Sequence, residues 1–479
     1  MSRHTLEREV KFSIQPDFVL PRLPGTRLHS QIFTSTYYDT DDYRLLRGGL
    51  TLRYRTKARS GTWQLKLPLE DARLEAEFPG PRREPPEALT RVLWAHLRGE
   101  ALRPIAEIRT RRHGVRVREN GGAVAVTLDA VDVIENGKPK RHFAEAEAEL
   151  VGGDEKSLRR IAKVLKKAGA IKSDQRPKML QALDLAPFTP DAPASRALPQ
   201  LEHLKTFLKR QLVHLLVHDV GVRLRSDPEH VHQMRVTTRR LRAVLRAARG
   251  TMLGVDWVEH LRAELSAVGA ALGGVRDLDV LLAHLRLERP NVPVPERRAM
   301  PRILEALEHE RRVRRRALLE MLVSDRYRTL LEHLEAAAGS PVVTDANARL
   351  DEIAGKEFAK LRKAVRKVGK DPGDTELHRV RIKSKRARYA AELAEGVRGK
   401  PATRFIERVK RLQDLLGEHH DGVVAEQVLR TVVPPDGDRR MALAVGLLLE
   451  RQRERRREAR EAFPKAWSAV KKCGRAVWS

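Results

Sequence analysis

Two patterns of apolar and polar residues divide the chain of 479 residues. In the first part, short runs such as LTLRYR, VAVTLD and FAEAEAEL alternate apolar and polar residues, and turn signals such as Asn136-Gly137 separate them. This alternation predicts antiparallel strands and hairpins. The later part is rich in Leu, Ala, Arg and Glu at helical spacing. We therefore predict a mainly β domain over residues 1–185, a Pro- and Ala-rich linker over 186–200 and an all-α domain over 201–479.

One motif occurs twice in the predicted helical domain. The segment HQMRVTTRRLR, His232–Arg242, recurs as HRVRIKSKRAR at His378–Arg388. A second pair, LGGVRD at Leu272–Asp277 and LGEHHD at Leu416–Asp421, keeps nearly the same separation. The duplication predicts two similar helical repeats, at about residues 201–340 and 345–479.

Charged residues recur at every second position of the predicted strands. Glu7, Glu9 and Lys11 would share one face, because successive side chains of a strand point to opposite sides. An amphipathic strand with a solvated charged face explains any single run of this kind. Inward-facing runs in a closed barrel would instead bind divalent cations through carboxylates and phosphate through arginine. The other runs are Arg53/Arg55, Arg73/Glu75/Glu77, Arg109/Arg111 and Glu145/Glu147/Glu149.

Each copy of the repeated motif places bases on one side of its helix. Positions i, i+3, i+7 and i+10 fall within about a quarter of the helix circumference. Like charges at these spacings destabilise an isolated helix, so a linear polyanion lying across both stripes would relieve the repulsion. A solvated basic face is the alternative for either copy. The stripes are His232, Arg235, Arg239 and Arg242 in the first copy, and His378, Arg381, Lys385 and Arg388 in the second.

The composition narrows the partners only in part. With 94 Lys and Arg against 64 Asp and Glu, the net charge of +30 suits nucleic acid, a membrane surface, a nucleotide or polyphosphate. Aromatic residues make up 4% of the chain, which argues against base stacking and hence against nucleic acid. The single cysteine, Cys473, indicates a reducing compartment. No apolar stretch reaches the roughly 18 residues of a membrane span, so we expect a cytoplasmic protein without membrane contact, with polyphosphate granules as one location.

The motifs of the β domain, taken in order, resemble one family. Glu7–Lys11 reads E-x-E-x-K, and Tyr38-Asp39-Thr40, Leu52–Arg55 and Lys66 follow. Over roughly the first 180 residues the chain resembles the CYTH domain, the triphosphate tunnel metalloenzymes. The resemblance implies an eight-stranded antiparallel β tunnel with flanking helices, which holds a triphosphate with Mg²⁺ or Mn²⁺. It implies metal ligands at Glu7, Glu9, Glu145 and Glu147, with Asp129 and Glu149 as further ones; a catalytic clamp of Lys11, Arg53, Arg55, Lys66, Arg109 and Arg111; and substrate contacts at Glu75, Glu77 and Arg176.

The duplicated motif of the helical domain resembles the CHAD domain family, from about Leu201 to the C-terminus. The resemblance implies binding of inorganic polyphosphate in a basic cavity between the two helical halves, without chemistry of its own. The implied polyphosphate-binding residues are His232, Arg235, Arg239, Arg240, Arg242, His378, Arg381, Lys385, Arg386 and Arg388.

Together these features predict an α+β two-domain protein, with an N-terminal β tunnel and a C-terminal all-α duplicated helical bundle. We expect metal-dependent hydrolysis of inorganic triphosphate to pyrophosphate and phosphate, with polyphosphate bound by the helical domain. Two alternatives stay open: a non-catalytic polyphosphate-binding or granule-associated protein, and an adenylate cyclase or hydrolase of organic triphosphates.

Overall fold

The structure is a computed structural model. It describes residues 3–15, 17–58, 60–69, 72–119, 122–173, 177–185, 199–369, 371–432 and 439–478. The chain divides into two compact units, residues 1–189 and 190–479, and each is described by itself. The predicted linker lies, up to residue 198, outside the described residues.

The first unit contains ten strand segments and five short or medium helices within its described residues. They are β1 (Arg3–Glu7), β2 (Glu9–Ser13), β3 (Gly25–Asp39), α1 (Arg44–Arg47), β4 (Thr51–Lys57), β5 (Ser60–Pro68), β6 (Arg73–Phe78), α2 (Glu87–Val92), α3 (Trp94–Leu97), β7 (Arg103–Glu119), β8 (Gly122–Glu135), β9 (Lys138–Gly152), α4 (Glu155–Lys167), β10 (Ile171–Lys172) and α5 (Lys178–Leu183).

The strands form one antiparallel sheet that closes on itself. Its order is β1-β6-β5-β4-β3-β7-β8-β9-β2-β10. Only Arg8 separates β1, which pairs with β6, from β2, which pairs with β9, so the path of pairing returns to its start. The Arg8 carbonyl accepts a hydrogen bond of 2.8 Å from the Leu150 amide at this junction. The predicted eight-stranded tunnel is therefore present, with ten segments because the first strand is broken at Arg8 and the two-residue β10 is added.

Two apolar clusters hold helices against this sheet. Helix α4 buries Ile161 and Leu165 in a cluster with Phe12 and Val126 of the strands. Such burial contributes about 1.5–3 kcal/mol for each large aliphatic side chain. Helix α5 packs differently. Its Met179 belongs to a cluster with strand residues that include Ile108 and Tyr37, while Tyr37 also lines the cavity described below. Helix α5 thus lies at the tunnel interior.

The second unit is all-helical in its described residues, as predicted. None of the described helices in the protein is long and apolar enough to cross a membrane. The helices are α6 (Gln200–Leu224), α7 (Pro228–Ala248), α8 (Val255–Glu288), a 3-10 turn (Arg289–Asn291), α9 (Val294–Arg297), α10 (Met300–Leu322), α11 (Asp325–Gly339), α12 (Leu350–Arg366), α13 (Asp374–Arg398), α14 (Lys400–Val432) and α15 (Arg439–Trp478).

The two copies of each motif lie on corresponding helices. The basic motif occupies α7 and α13, and the glycine-containing motif occupies α8 and α14. One apolar core joins the two copies, since it contains Leu282 of α8 and Ile303 of α10 together with Leu429 of α14 and Leu448 of α15. A second core, around Phe405 and neighbouring helices, belongs to α12–α15. The copies therefore share part of their interior.

Gly114 marks a close approach between two strands of the tunnel. A Cβ at this position would lie 2.1 Å from the carbonyl oxygen of Val126 and 2.9 Å from the Cα of Thr127. Because both atoms belong to the backbone of β8, they cannot move aside as a side chain would. We expect Gly114→Ala to lower the free energy of unfolding of the β unit by about 2 kcal/mol. Hydrogen exchange of β7 and β8 peptides at increasing urea measures this change.

Gly152→Ala provides the matched control, because nothing lies within 4 Å of a Cβ there. It should change the same free energy by less than about 0.5 kcal/mol. Equal effects of the two substitutions would contradict the steric explanation.

Candidate functional site

The tunnel encloses a charged cavity of about 160 Å³. Strands β1–β7 and β9 supply most of its lining, because every second side chain of a strand points inward, and helix α5 adds Lys178. The lining residues are Glu7, Glu9, Lys11, Tyr37, Thr51, Arg53, Arg55, Lys66, Arg73, Glu75, Arg112, Glu147, Glu149, Pro177 and Lys178.

Lys66 joins two carboxylates on one side of the cavity. Its Nζ lies 2.5 Å from Glu7 and 2.8 Å from Glu75. Burial raises the pKa of Glu7 to about 7. Burial acts in the same direction on Glu75, but Lys66 and Arg53 outweigh it and lower the pKa of Glu75 to about 2. Near neutral pH, Glu75 is therefore charged while Glu7 titrates.

Two arginines of β4 differ in how they are neutralised. Arg53 donates from Nε to Gln64 at 2.8 Å, and its terminal nitrogen lies 3.8 Å from Glu75. The Arg55 guanidinium lies 4.3 Å from the centre of the Phe33 ring and has no ion pair within 4 Å in the described part of the chain. Burial, together with the neighbouring arginines, lowers the pKa of Arg55 to about 9. An anion in the cavity would supply the charge partner that Arg55 lacks.

Three carboxylates form a second group, Asp129, Glu145 and Glu147, which we name the carboxylate trio. Their oxygens lie within 4.8 Å of one another, and all three residues are buried. The Lys178 Nζ lies 2.5 Å from Asp129, 2.6 Å from Glu145 and 3.1 Å from Glu147. Arg112 donates to Asp129 at 2.7 and 2.6 Å and to Glu147 at 2.6 Å.

The donor set of the trio suits a hard divalent cation, which prefers several carboxylate oxygens. Further acids lie nearby in the cavity lining. Glu9 lies 3.5 Å from Lys11 and 3.2 Å from Arg73. Burial raises the pKa of Glu149, which also lines the cavity. Lys11 connects these acids to the trio, since its Nζ lies 3.0 Å from Glu147.

The structure brings most of the expected tunnel residues together. The cavity lining includes Glu7, Glu9, Lys11, Arg53, Arg55, Lys66, Glu75, Glu147 and Glu149, and the remaining trio members, Asp129 and Glu145, contact Lys178. Glu77 is outside the lining and accepts a hydrogen bond of 2.8 Å from Gln64. Arg176 lies outside the described residues.

Arg109 and Arg111 do not reach this cavity, which differs from what the resemblance implied. Both are exposed; Arg111, 62% exposed, lies 3.5 Å from Asp132. The physical reason is which set of alternate side chains of β7 faces the inside of the tunnel. Thr110 and Arg112 share the inward face, so the arginines at odd positions point outward. Arg112 takes the inward position instead.

Sequence reasoning missed Arg112 and Lys178. The alternation in β7 allows either the odd-numbered or the even-numbered side chains to face inward. The signal that could have decided between them was the apolar side chain of Ile108, which is buried and lies on the same face as Arg112. Lys178 carries no periodic signal, because it is the first residue of the short helix α5 rather than part of a strand.

The two basic stripes of the second unit converge. Lys385 of α13 interacts electrostatically with Arg235 and Arg239 of α7 and with Arg381 of its own helix. Burial together with these arginines lowers the pKa of Lys385 to about 6. His232 belongs to the same group, and burial followed by the repulsion of nearby bases lowers its pKa to about 4. We name these residues, with His378, the central basic cluster.

Arg276, His420 and Asp421 also interact electrostatically with this cluster, although they were outside the expected set. The Nδ1 atoms of His378 and His420 lie 3.3 Å apart. Burial, followed by Arg381 and His378, lowers the pKa of His420 to about 3. Both histidines correspond to positions in the repeated motifs, so the duplication was a usable signal for His420.

The remaining residues expected to bind polyphosphate have other surroundings. Arg240 lies 3.1 Å and Arg388 3.4 Å from Glu392, so one carboxylate holds an arginine from each of α7 and α13. Arg242 and Arg386 lie apart from the central cluster, in a second basic group that includes Arg246 and Arg262.

Two known families match successive parts of the chain. Residues 5–180 match the CYTH domain, and residues 206–430 match the CHAD domain. Two uncharacterized proteins of Mycobacterium tuberculosis, from strains CDC 1551 / Oshkosh and ATCC 25618 / H37Rv, are each 28% identical over 522 residues. The alignment covers 99% of this chain and 98% of either relative.

Several solved structures are similar to part of this chain. PptA from Streptomyces chartreusis is 23% identical, with a TM-score of 0.49, over 57% of this chain and 100% of its own. The CHAD domain from the plant Ricinus communis is 27% identical, with a TM-score of 0.48, over 57% and 92%. PH1819 from Pyrococcus horikoshii OT3 is 17% identical, with a TM-score of 0.25, over 37% and 98%. The chain thus joins a CYTH domain, of the family that acts on triphosphates, to a CHAD domain that follows it.

Proposed function

We propose that the tunnel hydrolyses inorganic triphosphate to pyrophosphate and phosphate with the help of Mg²⁺ or Mn²⁺. The observation that carries this proposal is a cavity lined by several bases and bordered by the compact carboxylate trio, of which Glu147 belongs to the lining. Its volume of about 160 Å³ is below the roughly 300–1,000 Å³ of pockets for drug-sized ligands, which favours a small inorganic ion over a nucleotide.

The bases of the tunnel would hold the phosphate oxygens and offset their charge. Arg53, Arg55 and Arg112 offer paired donors to phosphate, whereas Lys11 and Lys66 act as point charges. Phosphoryl transfer depends mainly on such positioning and charge stabilisation. The trio, with Glu7, Glu9 and Glu149 nearby, would hold the divalent cation, which when bound supplies further charge neutralisation at the phosphate oxygens.

We further propose that the central basic cluster binds inorganic polyphosphate, in the cytoplasm and at polyphosphate granules. Among the described residues, the buried Nε atoms of Arg239 and Arg381 have no hydrogen-bond partner, and several arginines surround Lys385. A linear polyanion would provide acceptors for these nitrogens and relieve the repulsion. A nucleic acid would supply phosphates too, but the low aromatic content leaves little for its bases to stack on.

Loss of an inward base should reduce hydrolysis sharply, whereas loss of an outward one should not. We expect Arg55→Gln to lower kcat/KM about 10²–10³-fold, by analogy with removal of one preorganised donor to a developing charge. Arg109→Gln, in the same unit but outside the cavity, should lower it less than about twofold. Phosphate release from triphosphate with Mg²⁺ measures both.

No release by the wild-type protein would refute the hydrolase proposal. Equal losses in the two variants would refute the assignment of the cavity. Incubation with ATP, followed by assay for cyclic AMP and for phosphate, tests the cyclase and the organic triphosphatase alternatives.

Polyphosphate binding should weaken as the pH rises above about 6. In the free protein the pKa of Lys385 is lowered to about 6, from an ordinary value of 10.5, and a bound polyanion would raise it again. At a pH between the pKa of Lys385 in the free protein and its pKa in the complex, Lys385 then takes up a proton when polyphosphate binds. The affinity should fall by up to about tenfold per pH unit over that interval.

Lys385→Arg should bind polyphosphate with a much flatter pH profile, because an arginine stays protonated. Titrations at constant ionic strength keep the salt dependence fixed. A wild-type affinity that is flat from pH 6 to 8.5 would contradict this coupling.

A further inference from the structure

Lys178 is held inside the tunnel by the helix that it begins. The next residues of α5, Met179 and Leu180, are buried in the apolar cluster at the tunnel interior. The Lys178 side chain is only 7% exposed, and its Nζ lies within 3.1 Å of all three members of the carboxylate trio. The side chain is therefore an ammonium ion.

This ammonium occupies the position that a metal ion would need. A divalent cation binds carboxylate oxygens at about 2.0–2.6 Å, so it would lie among the same three acids. The Lys178 nitrogen already lies 2.5–3.1 Å from them. Two cations cannot share one set of three oxygens at such distances, because their repulsion in a poorly hydrated site is large.

The charges near the trio are already balanced. Three carboxylates face three bases, since Arg112 and Lys11 contact Glu147 in addition to Lys178. A divalent cation added to this group would leave excess positive charge in a buried site, which is costly unless an anion joins it. A phosphate group is such an anion, and its oxygens would also accept hydrogen bonds from the displaced ammonium.

We propose that Lys178 is a built-in competitor for the metal: its ammonium fills the carboxylate trio in the substrate-free protein and has to withdraw before a divalent cation binds there. The proposal rests on the metal-dependent function proposed above. It makes metal affinity low in the absence of substrate. It also couples metal and triphosphate binding, because the substrate offers Lys178 a new partner.

Measurement of Mn²⁺ binding in the absence of phosphate tests the competition. The electron paramagnetic resonance signal of the free ion reports how much Mn²⁺ is unbound. Lys178→Met keeps most of the side-chain volume and removes the charge, so we expect its Kd for Mn²⁺ to fall at least tenfold relative to wild type. Lys163→Met, on the exposed face of α4, removes the same charge at a distance and should leave the Kd within about twofold.

Lys66→Met distinguishes the two acid groups, because it frees Glu7 and Glu75 rather than the trio. An Mn²⁺ affinity that rises in this variant alone would place the ion beside Glu7 and overturn the proposal. An unchanged or weaker affinity in Lys178→Met would overturn it as well. If Lys178→Met fails to fold by circular dichroism, Lys178→Gln, which keeps a hydrogen-bond donor, serves instead and has the same expected result.

The competition and the proposed hydrolysis fail separately. A wild-type protein that hydrolyses triphosphate, with no tightening of Mn²⁺ binding in Lys178→Met, refutes the competition alone. A protein without hydrolysis in which Lys178→Met still tightens Mn²⁺ binding refutes the enzymatic function and supports the competition.

Discussion

Inside the tunnel, buried carboxylates and buried bases neutralise each other, and the closed sheet depends on that balance. An isolated buried charge costs several kcal/mol, so acids such as Glu147 and bases such as Lys11 are tolerable only in contact. The pairing extends across strands that are distant in sequence, because the strands close into a ring through Arg8. The same balance makes the cavity able to exchange one ionic partner for another, as the proposed binding of triphosphate with a metal ion would require.

The helical unit handles burial of charge in the opposite way. Its central basic cluster has few acids, and Arg235 pairs with Asp277 only at 3.4 Å. Burial and the repulsion of neighbouring bases instead lower the pKa of Lys385, His232 and His420, so that these groups lose their protons. The tunnel thus keeps its charges by pairing them, whereas the cluster lowers its charge by giving up protons.

The sequence was sufficient for features that depend on periodicity and insufficient for those that depend on packing. Alternation and turn signals predicted antiparallel strands and hairpins, and the resemblance to the CYTH domain implied their closure into a tunnel. The duplicated motif predicted two similar helical repeats, each with one basic stripe. Which face of β7 points into the tunnel depends on the burial of Ile108 and Thr110. Arg112 lies on that face and reaches the cavity, whereas Arg109 does not. Lys178 enters the tunnel because α5 packs there, a tertiary contact that no local pattern records.

The core shared by the two helical repeats has a consequence for how this unit unfolds. Leu282 and Ile303 of the first repeat bury their surface against Leu429 and Leu448 of the second. Neither copy can be removed without exposing a large apolar face of the other. The shared core therefore couples the two halves energetically, and a half cut out at its sequence boundary would expose to water the apolar surface that its partner covers.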